Sequence, residues 1–188
     1  MKKFTFIVTT LALALAAGSA SAAGSSAGPS AGNFGLNVNL SANNQATISP
    51  TDFLVTGRYF LTKNMAVLAG LGLQSIDTGA ATNATYTDLG FMGGFRYYLK
   101  TDDVAPFIGG RLQYAKTRNT AAAADATDLA ILVEAGAEYY LSQHFSLEGS
   151  MALGYASQDN KPLAAGVASQ KVSGFGTSNF RLSANFYF

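Results

Sequence analysis

The last eight residues, 181–188, read RLSANFYF. With the two residues before them they alternate strictly. Phe180, Leu182, Ala184, Phe186 and Phe188 share one face; Asn179, Arg181, Ser183, Asn185 and Tyr187 share the other. This is the period-two pattern of a β-strand, carried to the final residue. Chain ends usually fray into polar residues unless an element ties them down. An aromatic end therefore implies a strand held inside a sheet, and the rest of the chain must supply its neighbours.

Three stretches repeat one another upstream: RYFLTKN (58–64), RYYLKTDD (96–103) and EYYLSQH (138–144). Each is Arg or Glu, Tyr, an aromatic residue, Leu and a tight polar turn, and each is followed at once by another alternating run. This is a recurring β-hairpin unit. Extending the period gives eight strands, at about 34–42, 51–62, 65–75, 85–100, 104–116, 129–142, 145–157 and 175–188. The remaining connections, 43–50, 76–84, 117–128 and 158–174, are longer and rich in Asn, Thr, Ala, Gly, Asp and Lys. Short and long connections alternate, so in a closed sheet all tight turns fall at one rim and all long loops at the other. The fold class expected is an all-β, eight-stranded, antiparallel up-and-down transmembrane β-barrel.

Composition agrees with strands that face lipid. Of 188 residues, 48% are hydrophobic and only 12% charged, with mean hydropathy +0.17. Soluble domains carry roughly twice that charge. The body of the chain holds no apolar run of the roughly 18 residues that a membrane helix needs. There is no cysteine, which excludes disulfides, thiolate metal sites and cysteine nucleophiles. The net charge of +1 gives no basic surplus for nucleic acid.

Alternation leaves open which face points outward, because a secreted lipocalin-like binder alternates too. Lysine is absent from the strand interiors. The charges on the polar face are sparse and balanced: Arg58, Arg96, Arg111 and Arg181 against Asp88, Glu134, Glu138 and Glu148. Planar guanidinium groups suit an enclosed network with carboxylates. The same face is otherwise rich in Gly, Ser and Asn, sizes that suit a crowded lumen. The opposite face carries Leu36, Val55, Val67, Leu71, Phe91, Ile131 and Leu153 and reads as a lipid belt. Tyr59, Tyr97, Tyr139, Phe145, Phe186 and Phe188 flank it near the turns, and Phe53, Tyr114, Tyr155 and Phe175 near the loops.

The amino-terminal segment is an address. Lys2 and Lys3 precede an apolar run from Phe4 to Ala17 and a small-residue site at Ala20-Ser21-Ala22. Residues 1–22 read as a signal peptide cleaved on export. Residues 23–33, AGSSAGPSAGN, read as a flexible leader, and 34–188 as the barrel.

RLSANFYF is similar to the carboxy-terminal assembly signal of outer-membrane proteins, with Arg181, Phe186 and Phe188 matching and Ser183 where Gly is usual. Together with GRYFLTKNMAVLAGLGL and GAEYYLSQHFSLEGSMALGY, it makes the chain resemble the small outer-membrane barrel-domain family, which includes OmpA-, OmpX- and opacity-type proteins. The resemblance implies residence in a Gram-negative outer membrane, among lipid and lipopolysaccharide. It also implies recognition of the last strand by the barrel-assembly machinery. It leaves activity open, because that family hosts adhesins, structural proteins and others.

Catalytic signals are weak. His144-Phe145-Ser146 with Glu148 resembles the pattern of barrel lipid A deacylases, but His144 lies in a tight turn, at the rim away from the outer leaflet. Asp77, Asp125 and Asp128 lack the spacing of a calcium loop. The lone histidine makes a poor transition-metal site. GFMGG (90–94) lies in a strand with no helix after it, unlike a phosphate cradle. The expectation is a non-enzymatic, cofactor-free barrel presenting four loops for envelope integrity, adhesion or contact with an unidentified surface ligand. A narrow channel for small solutes, favoured by the many lumen-side glycines, and a lipid A-modifying enzyme are the alternatives.

Overall fold

The computed structural model describes residues 28–40, 55–77, 85–119, 124–162, 168–177 and 180–188. The signal peptide at 1–22, the first part of the leader, Phe53, the connection 43–50 and residues 78–84 of the connection 76–84 lie outside the described residues. The elements are β1 (Phe34–Asn39), β2 (Val55–Thr62), β3 (Met65–Asp77), β4 (Thr85–Tyr98), β5 (Val104–Asn119), β6 (Ala124–Ser142), β7 (Phe145–Pro162), β8 (Gln170–Thr177) and β9 (Arg181–Tyr187). Consecutive strands from β1 to β8 pair antiparallel, except across the β8–β9 break, and β1 pairs with β9.

The alternation of 175–188 predicts one strand; the described residues form two segments, β8 and β9. Both lie against one partner: β9 covers Phe145–Ser150 of β7, and β8 covers Leu153–Asn160. Counted by staves, this is a closed eight-stranded antiparallel barrel. β1 ends at Asn39, so β8 meets only β7 among the described residues, and all eight of its residues are exposed. Closure rests on β9, whose ladder with β1 runs from Gly35↔Tyr187 to Asn39↔Ser183.

The tight turns are built by side chains that replace missing ladder bonds. Thr62 Oγ1 accepts from the backbone N–H groups of Asn64 and Met65, at 3.2 and 3.0 Å. Ser142 Oγ accepts from His144 N at 3.2 Å, so the first and third repeats turn by the same chemistry.

Exposure follows strand parity. Val67, Leu71, Phe95, Ile108, Ile131, Val133 and Met151 are exposed, while Arg58, Arg96, Glu134, Glu138 and Glu148 are buried. A soluble protein rarely exposes so continuous an apolar band. On β6 the band runs from Leu129 to Tyr139. At ~3.3 Å per residue and ~40° tilt this climbs about 25 Å, the height of a lipid-facing belt. Tyr59, Tyr97 and Tyr139 mark its turn side, and Tyr114, Tyr155 and Phe175 its loop side.

Two connections are shorter than the sequence implies. The β5–β6 ladder continues to Asn119↔Ala124, which absorbs most of 117–128. β7 and β8 pair out to Asn160↔Gln170 within 158–174. Outward residues here are polar: Lys116 pairs with Asp125 at 3.3 Å, and Lys161 with Asp159 at 3.6 Å. A wall of four strands, β5 to β8, thus rises beyond the belt.

The end of the leader is also held. Gly32 N donates to Phe60 O at 2.8 Å, Phe60 N to Asn33 O at 3.0 Å, and Asn33 Nδ2 to Phe188 O at 3.2 Å. Pro29 is buried. Residues 28–33 therefore close over the turn rim, beside the ring of Tyr140.

Candidate functional site: the sealed lumen

The repeated hairpin unit builds the lumen in two layers. Its first residue, Arg58, Arg96 or Glu138, points inward and is at most 4% exposed. Its second, Tyr59, Tyr97 or Tyr139, points to lipid. Its third, Phe60, Tyr98 or Tyr140, points inward again. Eight strands enclose a space that side chains can fill, and these do so.

The upper layer is ionic. Arg58 Nη1 donates to Glu138 Oε2 at 2.8 Å, and Arg58 Nη2 to Glu148 Oε2 at 2.7 Å. Arg96 reaches Glu148 at 2.7 and 3.0 Å and Glu134 at 2.8 and 3.1 Å. Arg111 Nε lies 3.2 Å from Glu134 Oε2, within ion-pair range but misaligned for a hydrogen bond. Three arginines thus meet three glutamates and the layer is neutral. Charges removed from water are tolerated only when they are paired in this way.

Polar side chains finish the network. Tyr98 OH donates to Glu138 Oε2 at 2.9 Å and accepts from Arg58 at 2.8 Å. Ser146 Oγ and Tyr187 OH both donate to Glu138 Oε1. Asn185 Nδ2 donates to Ser146 Oγ at 2.9 Å, and Asn37 Nδ2 to Asn185 Oδ1 at 2.6 Å, which ties the closing seam into the plug.

The lower layer is aromatic. Phe60, Tyr98, Phe107, Tyr140 and Tyr187 are buried together with Ala66 and Ala105. Ring centroids lie 5.7 to 5.9 Å apart, ordinary spacings for aromatic pairs. Arg96 joins the layers, its guanidinium carbon 3.7 Å from the Phe107 ring centroid. Gly136 makes room: a Cβ there would collide with Gly149 O and stand 2.6 Å from the Phe107 ring.

Of the eight charges read as one lumen network, six pair and two stand apart. Asp88 is buried on β4 with Oδ1 unpartnered, and Arg181 lies half-buried on β9 without an ion pair among the described residues. Both sit on the inner face, further toward the loop rim than the plug, so parity placed them but axial height separated them. His144 and Ser146 are also parted. His144 is exposed in its turn, whereas Ser146 is fully buried and bonded to Glu138 and Asn185. Asp125 belongs to the outer wall with Lys116, and Asp128, on the inner face, takes a hydrogen bond from Gln158. The side chain of Asp77 is outside the described residues, and among those described no group of three or more acidic, His or Cys residues is arranged to hold a metal.

The sequence reading missed the aromatic layer and the part played by Tyr98, Tyr187, Asn185 and Ser146. The signal was present: if Arg58, Arg96 and Glu138 face inward, so do the residues two further on.

A closed sheet, apolar outside and ion-paired inside, defines an integral membrane β-barrel. A family model described as "Outer membrane protein beta-barrel domain" matches residues 8–188, and the chain belongs to that family. None of the curated proteins matches it significantly in sequence. Among solved structures it is similar to the outer membrane protein OprG from Pseudomonas aeruginosa, at 13% identity and TM-score 0.52, over 86% of this chain and 98% of that one. It is also similar to the N-terminal β-barrel domain of P. aeruginosa OprF, at 13% identity and TM-score 0.44, over 85% of this chain and 100% of that one. The E. coli outer membrane protein W is a third, at 20% identity and TM-score 0.45, over 85% and 99%.

Proposed function

We propose that this protein is a non-enzymatic scaffold of the Gram-negative outer membrane. It is exported through a cleaved signal peptide at residues 1–22 and stands among lipid and lipopolysaccharide. The assembly machinery engages its last strand at Arg181, Phe186 and Phe188. Its loop rim, raised on the β5–β8 wall, makes the surface contacts. The observation that carries the reading is the two-layer plug: six paired charges and five packed rings are buried together in the lumen. Single-channel recording in planar bilayers tests it. The folded protein is expected to give no conductance steps, and reproducible steps would replace the scaffold with a channel.

Topology is tested separately. The chain has no native cysteine. Thr127→Cys and Lys161→Cys, on the outer wall, are expected to react with a membrane-impermeant maleimide on intact cells. His144→Cys is expected to react only after permeabilisation. The opposite pattern would invert the barrel and remove the surface role.

A further inference from the structure

Above the plug the described residues do not fill the lumen. A cavity of about 660 Å³ opens toward the loop rim, lined by Arg111, Gln113, Asp128, Ala130, Leu132 and Arg181 among others. That volume lies within the usual range of small-molecule sites. Its deeper end carries hydrogen-bond donors. Arg111 lines the cavity while its Nε faces Glu134 Oε2 at 3.2 Å. Gln113 is 3% exposed, yet its amide Nε2 has no partner. A buried donor left unmade costs free energy, and such orphans are rare in folded proteins. Arg181 brings a further positive charge that the neutral plug does not need. The carboxylates of Asp88 and Asp128 bring two negative charges, but they lie nearer the loop rim, in register with Thr117 and Ala115, beyond Gln113 on β5. The remaining walls are mostly small and apolar, including Ala130, Leu132 and Ala156.

We propose that this vestibule is a binding site for small monocarboxylates with a compact apolar body. The carboxylate would take the donors of Arg111, Arg181 and Gln113, and the body would lie along Ala130, Leu132 and Ala156. Guanidinium groups match a carboxylate's two oxygens in a fork, and Gln113 would gain the acceptor it lacks. The plug forms the floor, so the site holds its ligand without passing it across the membrane. This inference stands apart from the scaffold reading, because a conducting barrel could contain the same site.

The test uses 4-fluorobenzoate as the probe, followed by fluorine NMR with the full barrel in lipid nanodiscs. Three variants are compared: wild type, Arg181→Gln and Gln113→Met. Each is first shown to be folded by its altered migration in unboiled gels. Arg181→Gln removes a charge outside the plug, so it keeps the test valid if Gln113→Met does not fold. Wild type is expected to give a saturable shift, and each folded variant a dissociation constant raised about tenfold or more. The neutral 4-fluorobenzyl alcohol is expected to give no saturable shift. Absence of saturation in wild type, equal affinity in the folded variants, or equal binding of the alcohol would each overturn the proposal. So would preferential binding of inorganic phosphate, which lacks an apolar body.

Discussion

A chain ended after Phe180 is expected to give no folded barrel. β9 supplies the second neighbour of β1 and the turn-side neighbour of β7, from Phe145↔Phe186 to Ser150↔Arg181. Without it two strand edges face hydrocarbon with their N–H and C=O groups unpaired. Each such group costs on the order of several kcal/mol in lipid, far more in sum than the stability of a small domain. The truncation also removes Asn185 and Tyr187 from the plug. After refolding from urea into detergent, unboiled and boiled samples of the truncated chain are expected to co-migrate. The full chain is expected to show a shifted unboiled band. A shifted band from the truncated chain would mean that the barrel closes by some other pairing.

The second large effect is expected at Glu148. Its carboxylate receives one bond from Arg58 and two from Arg96, and it is 2% exposed. Glu148→Leu leaves two buried guanidinium groups short of an acceptor, a loss of about 3–5 kcal/mol. Glu148→Gln keeps an acceptor oxygen and is expected to fall between Leu and wild type. Lys116→Ala breaks the solvated Lys116–Asp125 pair on the outer wall and is expected to cost no more than about 1 kcal/mol. Urea unfolding in micelles, followed by circular dichroism, ranks the three. Equal midpoints for Glu148→Leu and wild type would show that the plug contributes nothing to stability.

The fold was legible because lipid imposes a severe rule on sequence. Every backbone group must pair and every second side chain must be apolar, so a period of two survives along whole strands. RLSANFYF and the three Tyr-containing hairpins carried that rule openly. Parity also assigned Arg58, Arg96, Arg111, Glu134, Glu138 and Glu148 to one inner face. Parity is blind to axial height, however, and that is why Asp88 and Arg181 were grouped with a layer they do not join. Nor does it mark where pairing ends. Residues 117–119 and 124–128 are polar and small, like a loop, yet they stay in register because both neighbours continue. The bound end of the leader was hidden for another reason. Gly28–Asn33 has no strand pattern, and its contacts depend on the rim that Phe60 and Phe188 create.

The plug has a bearing on the order of events during assembly. Its arginines all come from the earlier strands β2, β4 and β5, and its glutamates all come from the later β6 and β7. The plug residues of the early hairpins are therefore all cationic, with Asp88 of β4 standing outside the plug, and those of the β6–β7 hairpin are all anionic. No hairpin entering the bilayer alone would hold a partner for its plug charges, so completing those ion pairs requires the two halves of the chain to meet.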